Sequence, residues 1–218
     1  MLMKIYNNHF HDGHVYLSIE DQEADGIRPS QFEKLLAEYR KPIQVMVSSN
    51  DIRTIGLLER SGFCLKRRCF EINAVESKLL LPLSDPIQML MVTTRESQDY
   101  SECAGMMYDY YCDTHAPVNP ITASEKEFRG VLPATAVYIK ADGIVEAAAF
   151  IEENEIAYVC SYSKKSFSRF ARSLLSYMFS RHETISFEAD DTDWAATMLR
   201  DMFSSVNGES FDTYIKYG

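Results

Sequence analysis

No apolar run in this 218-residue chain is long enough to span a bilayer. The opening MLMKIYNNHFHDG is too short and too polar for a secretory signal, so a cytoplasmic protein is expected. Positive charge is scarce: 22 Lys and Arg stand against 32 Asp and Glu, a net charge of -10. Nucleic acid and anionic membrane both demand a basic surface, so neither is expected as the main partner. A cationic substrate such as an amine fits this balance, and so does simple solubility. The five cysteines, Cys64, Cys69, Cys103, Cys112 and Cys160, contain no CxxC pair and are odd in number. They read as reduced thiols, neither a disulfide framework nor a zinc site. His9, His11 and His14 lie close together without a fourth ligand in view, which reads as a polar loop, and no metal is expected.

What is present has the periodicities of a mixed α/β chain. Residues 14–19 form a strand pattern, and Pro29 and Ser30 open a helix with Phe32, Leu35, Leu36 and Tyr39 on one face. Pro42 ends it. The run 43–47 reads as a buried strand. Ser48, Ser49, Asn50 and Asp51 offer caps for a second helix, DIRTIGLLERS, which closes on Gly62. A strand follows over 63–73. Residues 76–86, with two prolines, change the pattern and read as a linker between a module over 1–75 and another over 87–218. Leu79, Leu80 and Leu81 make this a linker that packs.

The second part begins with a strand over 87–94. A helix capped by Ser97 or Asp99 runs through Tyr100, Cys103, Met106, Met107, Tyr110 and Tyr111. The loop CDTHAPVNP follows, then a short helix opened by TASE. A strand over 134–140, the Asp142-Gly143 turn and IVEAAAFIEE make a hairpin. Residues 155–181, EIAYVCSYSKKSFSRFARSLLSYMFSR, then pass from a strand through a basic polar turn into a helix. Unpaired amides and the positive helix end make that turn a possible anion site. Last come a strand (TISFEAD), a helix capped by Asp191 or Thr192 (DTDWAATMLRDMF) and a strand (ESFDTYIKY).

The segment NDIRTIGLLERSGF, followed by a strand with Arg67 and Phe70, resembles the ending of the Gcn5-related N-acetyltransferases, the GNAT superfamily. Residues 87–218 resemble a complete member in element order. The first third then resembles a truncated second copy, the two corresponding at DIRTIGLLERSGF and DTDWAATMLRDMF. The resemblance implies a GNAT-like mixed sheet flanked by helices, of α/β (α+β) class, in two modules.

It also implies a chemistry. Acetyl-CoA would be the co-substrate, its pantetheine amides paired with the backbone of Val159, Cys160 and Ser161. The family's R/Q-x-x-G-x-G/A phosphate loop falls on Ser166, Phe167, Ser168, Arg169, Phe170 and Ala171, of which only Ala171 fits the pattern. Lys164, Lys165, Arg169 and Arg172 supply charge where glycines are missing. The family's tyrosine acid has no counterpart: Met198 stands at that position, and Leu58 in the first copy. Glu155 and Glu188 lead the candidates for general base, ahead of Glu152 and Glu153. Asp113 and His115 lie where acceptors bind. The acceptor would be a small-molecule or peptide amine, and a homodimer is compatible with the chain. Two rivals stand beside this reading: a GNAT-fold protein without catalysis that binds or regulates, and an α/β protein holding an unrelated nucleotide or phosphate.

Overall fold

The structure, a computed structural model, describes residues 3–83, 90–204 and 208–218. In chain order the elements are β1 (Lys4–Tyr6), β2 (Val15–Ser18), α1 (Pro29–Tyr39), β3 (Ile43–Ser48), α2 (Ile52–Arg60), β4 (Cys64–Val75), β5 (Met91–Thr94) and α3 (Gln98–His115). Then follow α4 (Glu125–Val131), β6 (Thr135–Ala141), β7 (Ile144–Glu152), β8 (Glu155–Ser161), α5 (Lys164–Phe179), β9 (Thr184–Asp190), α6 (Trp194–Arg200) and β10 (Phe211–Lys216). This is the α/β class that the sequence predicts. The strand β1 and a 3-10 turn over Asp21–Gly26 were not expected from the sequence. Residues 84–89, which hold the end of the expected linker and the start of the expected strand over 87–94, lie outside the described residues. The linker is tied down through Leu79, which bridges Phe203, while Leu80 and Leu81 stay exposed.

The chain divides into two compact units that are not contiguous in sequence. The first comprises residues 1–70, 115–123 and 208–218, the second residues 71–114 and 124–207. Modules over 1–75 and 87–218 would have kept β10 with the second part. Instead β10 lies between β3 and β4, antiparallel to both.

In the first unit the strand order is β1-β2-β3-β10-β4. Val15, Leu17, Ile43, Val45, Val47 and Tyr214 alternate onto one face of this sheet and meet Phe32, Leu57, Leu58 and Phe63. The opposite face carries Tyr16 and Gln44, which pair across β2 and β3. There the segment 115–123 docks: His11 Nδ1 lies 2.6 Å from the Asn119 carbonyl oxygen, and the Thr122 amide donates to the Phe10 carbonyl at 2.7 Å. His14 Nδ1 meets Gln44 Oε1 at 3.0 Å. Burial, the largest influence, lowers the His11 pKa and keeps the ring neutral.

The helices start and stop where their local chemistry demands. Asp51 Oδ1 accepts the Thr54 amide at 3.0 Å and so caps α2. At the other end Gly62 takes φ +82, the Phe63 amide returns to the Leu58 carbonyl and the Gly62 amide to the Glu59 carbonyl. That is the Schellman pattern, and it seats Phe63 against the helix it has just left. A Cβ on Gly62 would lie 3.0 Å from Lys216 Nζ, which donates to the Ser61 carbonyl at 2.6 Å. Gly62→Ala is expected to cost about 1–2 kcal/mol from the left-handed backbone alone. Urea denaturation measures this, and an unchanged midpoint would refute it.

In the second unit the order is β4-β9-β8-β7-β6-β5, with β4 entering from Glu71 onward. β5 to β8 are antiparallel neighbours, and β8 with β9 is parallel. The Asp142-Gly143 turn has φ 52 and 81, which two-residue hairpins favour, as the sequence predicts. Phe150 takes the edge of Tyr100 from α3. On the other face Phe187 meets Phe203, which meets Phe179 of α5. The sheet is thus covered by α3 on one face and α5 on the other.

Candidate functional site

Two irregularities in β8 shape the second unit's centre. Against β7, Tyr158 pairs with Phe150 but Ile156 with Ile151, so Ala157 is an extra residue, a β-bulge. Against β9, the ladder runs only through Glu155↔Ser186 and Ile156↔Phe187. Beyond Ile156 the two parallel strands no longer pair. The Tyr162 amide donates to the Glu146 carbonyl of β7, so by alternation the backbones of Cys160 and Tyr158 also turn to β7. Those of Val159 and Ser161 turn the other way, toward the side that β9 has left. Of the three residues expected to pair with a ligand, Val159 and Ser161 therefore face that side, while Cys160 turns its backbone to β7.

The bulge also re-aims side chains. Tyr158 shares a face with Phe150, and Glu155 with Glu152, which lies two residues on from Phe150. Without the extra residue Tyr158 would lie on the opposite face from Glu155. Glu188 lies two residues on from Ser186, the partner of Glu155, and so joins them. The Tyr158 phenol registers this: burial first, then the charges of Glu188 and Glu155, raise its pKa. The two carboxylates expected as bases are therefore brought together, both exposed, around one tyrosine.

The connection from β8 to α5 is only Tyr162 and Ser163. Ser163 caps the helix: its Oγ accepts the Ser166 amide at 3.2 Å and its carbonyl the Phe167 amide at 3.0 Å. Residues 166–171, expected as a phosphate loop, are helix throughout, so from Ser166 onward the amides are engaged by the helix and its cap. The amides that the helix leaves over are those of Lys164 and Lys165. Phe167, Phe170 and Ala171 are buried under the helix, while Ser168 and Arg169 are exposed, with Arg169 3.8 Å from Glu146. Ser163, as the cap, thus places residues 166–171 in the first turns of the helix.

Sequence reasoning missed a further pair. Tyr110, named above only as a position of the helix pattern, donates its hydroxyl to Asp193 Oδ1 at 2.5 Å. Asp193, two residues beyond the expected cap Asp191, also accepts the Ala195 and Ala196 amides at 2.9 and 3.0 Å and caps α6. Trp194 lies edge-on to both Tyr110 and Phe167. α6 packs on β8 and β9, so this bond ties α3 to α6 beside the parted strands. Burial, offset in part by these hydrogen bonds, raises the Asp193 pKa. Burial and the neighbouring Asp193 push the Tyr110 phenol up, so it stays protonated. The acid directly before Trp194 was the available signal for the cap; nothing in the sequence pointed to Tyr110.

Asp113 and His115 both end α3 but face different surroundings. Asp113 is exposed in the second unit, while His115 belongs to the first, where its ring stacks on His11 at 5.5 Å. All five cysteines are free thiols, with Cys103 and Cys160 buried. Among the described residues no group of His, Cys, Asp and Glu could hold a metal ion. Among them, too, no helix is long and apolar enough to cross a membrane.

No family model and no curated protein matches the sequence. Solved structures do resemble this one. A GCN5-related N-acetyltransferase from Sphaerobacter thermophilus aligns with a TM-score of 0.56 over 98% of this chain and 75% of that one, at 10% identity. Another from Kribbella flavida gives 0.52 over 96% and 83%, at 15% identity. An acetyltransferase of the GNAT family from Colwellia psychrerythraea gives 0.52 over 94% and 78%, at 10% identity.

Proposed function

We propose, from the premise that this chain has the fold of the GCN5-related N-acetyltransferases, that it transfers an acyl group from acyl-CoA to an amine. One observation carries the reading: β8 parts from β9 after Ile156 and turns the backbones of Val159 and Ser161 into the opening. A strand edge of this kind pairs with an extended ligand amide by amide, as the pantetheine arm of CoA requires. The diphosphate would meet the amides and side chains of Lys164 and Lys165 and the Arg169 guanidinium. Acetyl-CoA is the simplest donor.

The chemistry asks for positioning more than for reactive groups. The amine nitrogen attacks the thioester carbonyl, the C–S bond breaks, and the thiolate leaves with its electron pair and takes up a proton. A β8 amide facing the opening would stabilise the developing oxyanion. Glu155 and Glu188 are the groups to receive the amine's proton, directly or through water. A GNAT-fold binding or regulatory protein without catalysis is the second reading. It is favoured by the helical, glycine-free residues 166–171 and by the Tyr110–Asp193 bond beside the opening.

Thermal unfolding with and without CoA or acetyl-CoA separates the two from a chain that binds neither. At a hundredfold excess over Kd, ligand should add roughly 2.7 kcal/mol of stability. Lys165→Glu and Arg169→Glu should each weaken binding by about tenfold while the apo protein melts nearly unchanged. No shift with any CoA ester would sink the proposal. A shift without product from any amine, read by thiol release, would favour the binding protein.

A further inference from the structure

Beside Glu155 and Glu188 the second unit holds an aromatic cluster that neither strand pairing nor helix capping requires. Phe128 of α4 is buried at its centre, 2% exposed. Around it stand Tyr111 at 4.8 Å and Tyr108 at 5.6 Å between ring centroids, both from α3, and Tyr158 of β8 edge-on at 5.9 Å. The three tyrosines are each partly exposed. Tyr158 reaches this face only because of the bulge at Ala157, and there the Glu155 and Glu188 charges act on it. On Tyr108 burial acts first, then Cys112, and after them the charges of Glu125 and Asp109. Arg129, also on α4, is held by Glu125 at 2.6 Å.

Resting on the acyltransferase reading, we propose that this surface selects the acceptor: an ammonium cation on an apolar stem, without a carboxylate beside the nitrogen. Partly exposed tyrosines attract a cation through their ring quadrupoles, and the stem would lie against the same rings. Glu155 and Glu188 add charge complementarity. The same groups repel the α-carboxylate of a free amino acid, because a like charge beside them raises the free energy of the bound state. The phosphate-bearing donor meets α5, where Lys164, Lys165 and Arg169 lie, and the acceptor meets carboxylates. The two ligands are told apart by sign.

The test uses the full chain, without CoA, in calorimetric titrations with phenethylamine, butylamine, 2-phenylethanol and phenylalanine. The amines should bind, with 2-phenylethanol and phenylalanine each at least about tenfold weaker than phenethylamine. Glu155→Gln with Glu188→Gln should lower phenethylamine affinity by about tenfold and leave 2-phenylethanol unchanged. Tyr158→Leu should weaken phenethylamine more than 2-phenylethanol, with a circular dichroism spectrum matching the parent to show that the variant folds. Equal binding of amine and alcohol, no binding of either amine, or indifference to all these substitutions would overturn the proposal. If CoA fails to bind but phenethylamine behaves as described, the acyltransferase reading falls and the cation site stands. If CoA binds and the amines do not, this site falls alone.

Discussion

Asp193→Ala is expected to destabilise the protein by about 2–4 kcal/mol. Loss of an N-cap costs about 1 kcal/mol, and a buried phenol left without its acceptor costs a further ~1–3 kcal/mol. Both losses fall on one residue here, because Asp193 Oδ1 accepts from the Ala195 and Ala196 amides and from Tyr110 at once. Tyr110→Phe removes only the phenol, so it should cost less. The double variant should cost less than the sum of the two, since the bond they share is lost only once. Asp193→Asn keeps an oxygen for the cap and loses the buried charge, and it should sit well above Asp193→Ala. The pH dependence is the sharper check. Burial holds the Asp193 pKa above its unfolded value, so between those two values the folded state carries more protons than the unfolded one. Stability from this group therefore rises as pH falls through the folded pKa toward 3.8, opposite to a salt-bridged aspartate. The parent should gain on Asp193→Asn as pH drops through that window. A difference between them that is flat or of opposite slope would show that the carboxylate is not held in a desolvated site.

The same residue shows where sequence reading stops. That a cap precedes Trp194 is legible, because an N-cap is a local device spanning three residues, but the expected Asp191 or Thr192 gives way to Asp193. Its partner Tyr110 is 83 positions away, and a tyrosine on an apolar helix face has the same pattern whether its hydroxyl is bonded or not. The turns at Asp142-Gly143 and Gly62 were legible for the reason the cap was: backbone with positive φ selects residue types within a few positions. The bulge at Ala157 was not. Strand alternation in EIAYVCS reads evenly, and the extra residue shows only against β7, whose register no single strand encodes. That bulge turns Tyr158 and the two glutamates into one surface, so the grouping of the candidate site was hidden although Glu155 and Glu188 were named. The placement of β10 between β3 and β4 was hidden likewise. An antiparallel central strand of alternating pattern pairs equally well with any neighbour of matching pattern, and connectivity alone would have kept it in the second unit.

Phe63→Ala is expected to cost about 3–5 kcal/mol, the range for emptying a phenylalanine site in a packed core. Phe63 is 4% exposed and Phe32, whose ring it meets edge-on at 5.0 Å, is fully buried. The ring leaves a cavity bounded by Phe32, by Leu58 and by the start of β4, which helix geometry and strand pairing hold in place. The site therefore collapses little, and the loss belongs at the upper end of that range. The Schellman pattern adds a second consequence, because the Phe63 amide bonds the Leu58 carbonyl whether or not the ring is there. The backbone turn should survive, and the damage should be one of packing. Phe63→Leu, which keeps most of the volume, should recover more than half of the loss. Denaturant unfolding gives the magnitudes. Hydrogen exchange gives the location: amides of α1, α2 and β3 should lose protection first, since their side chains close the core that Phe63 fills. A loss under about 1 kcal/mol, or one that Phe63→Leu does not relieve, would mean that the helix-ending Gly-Phe pair sets a turn and nothing more. In that case the feature most legible in the sequence would have been read for the wrong reason.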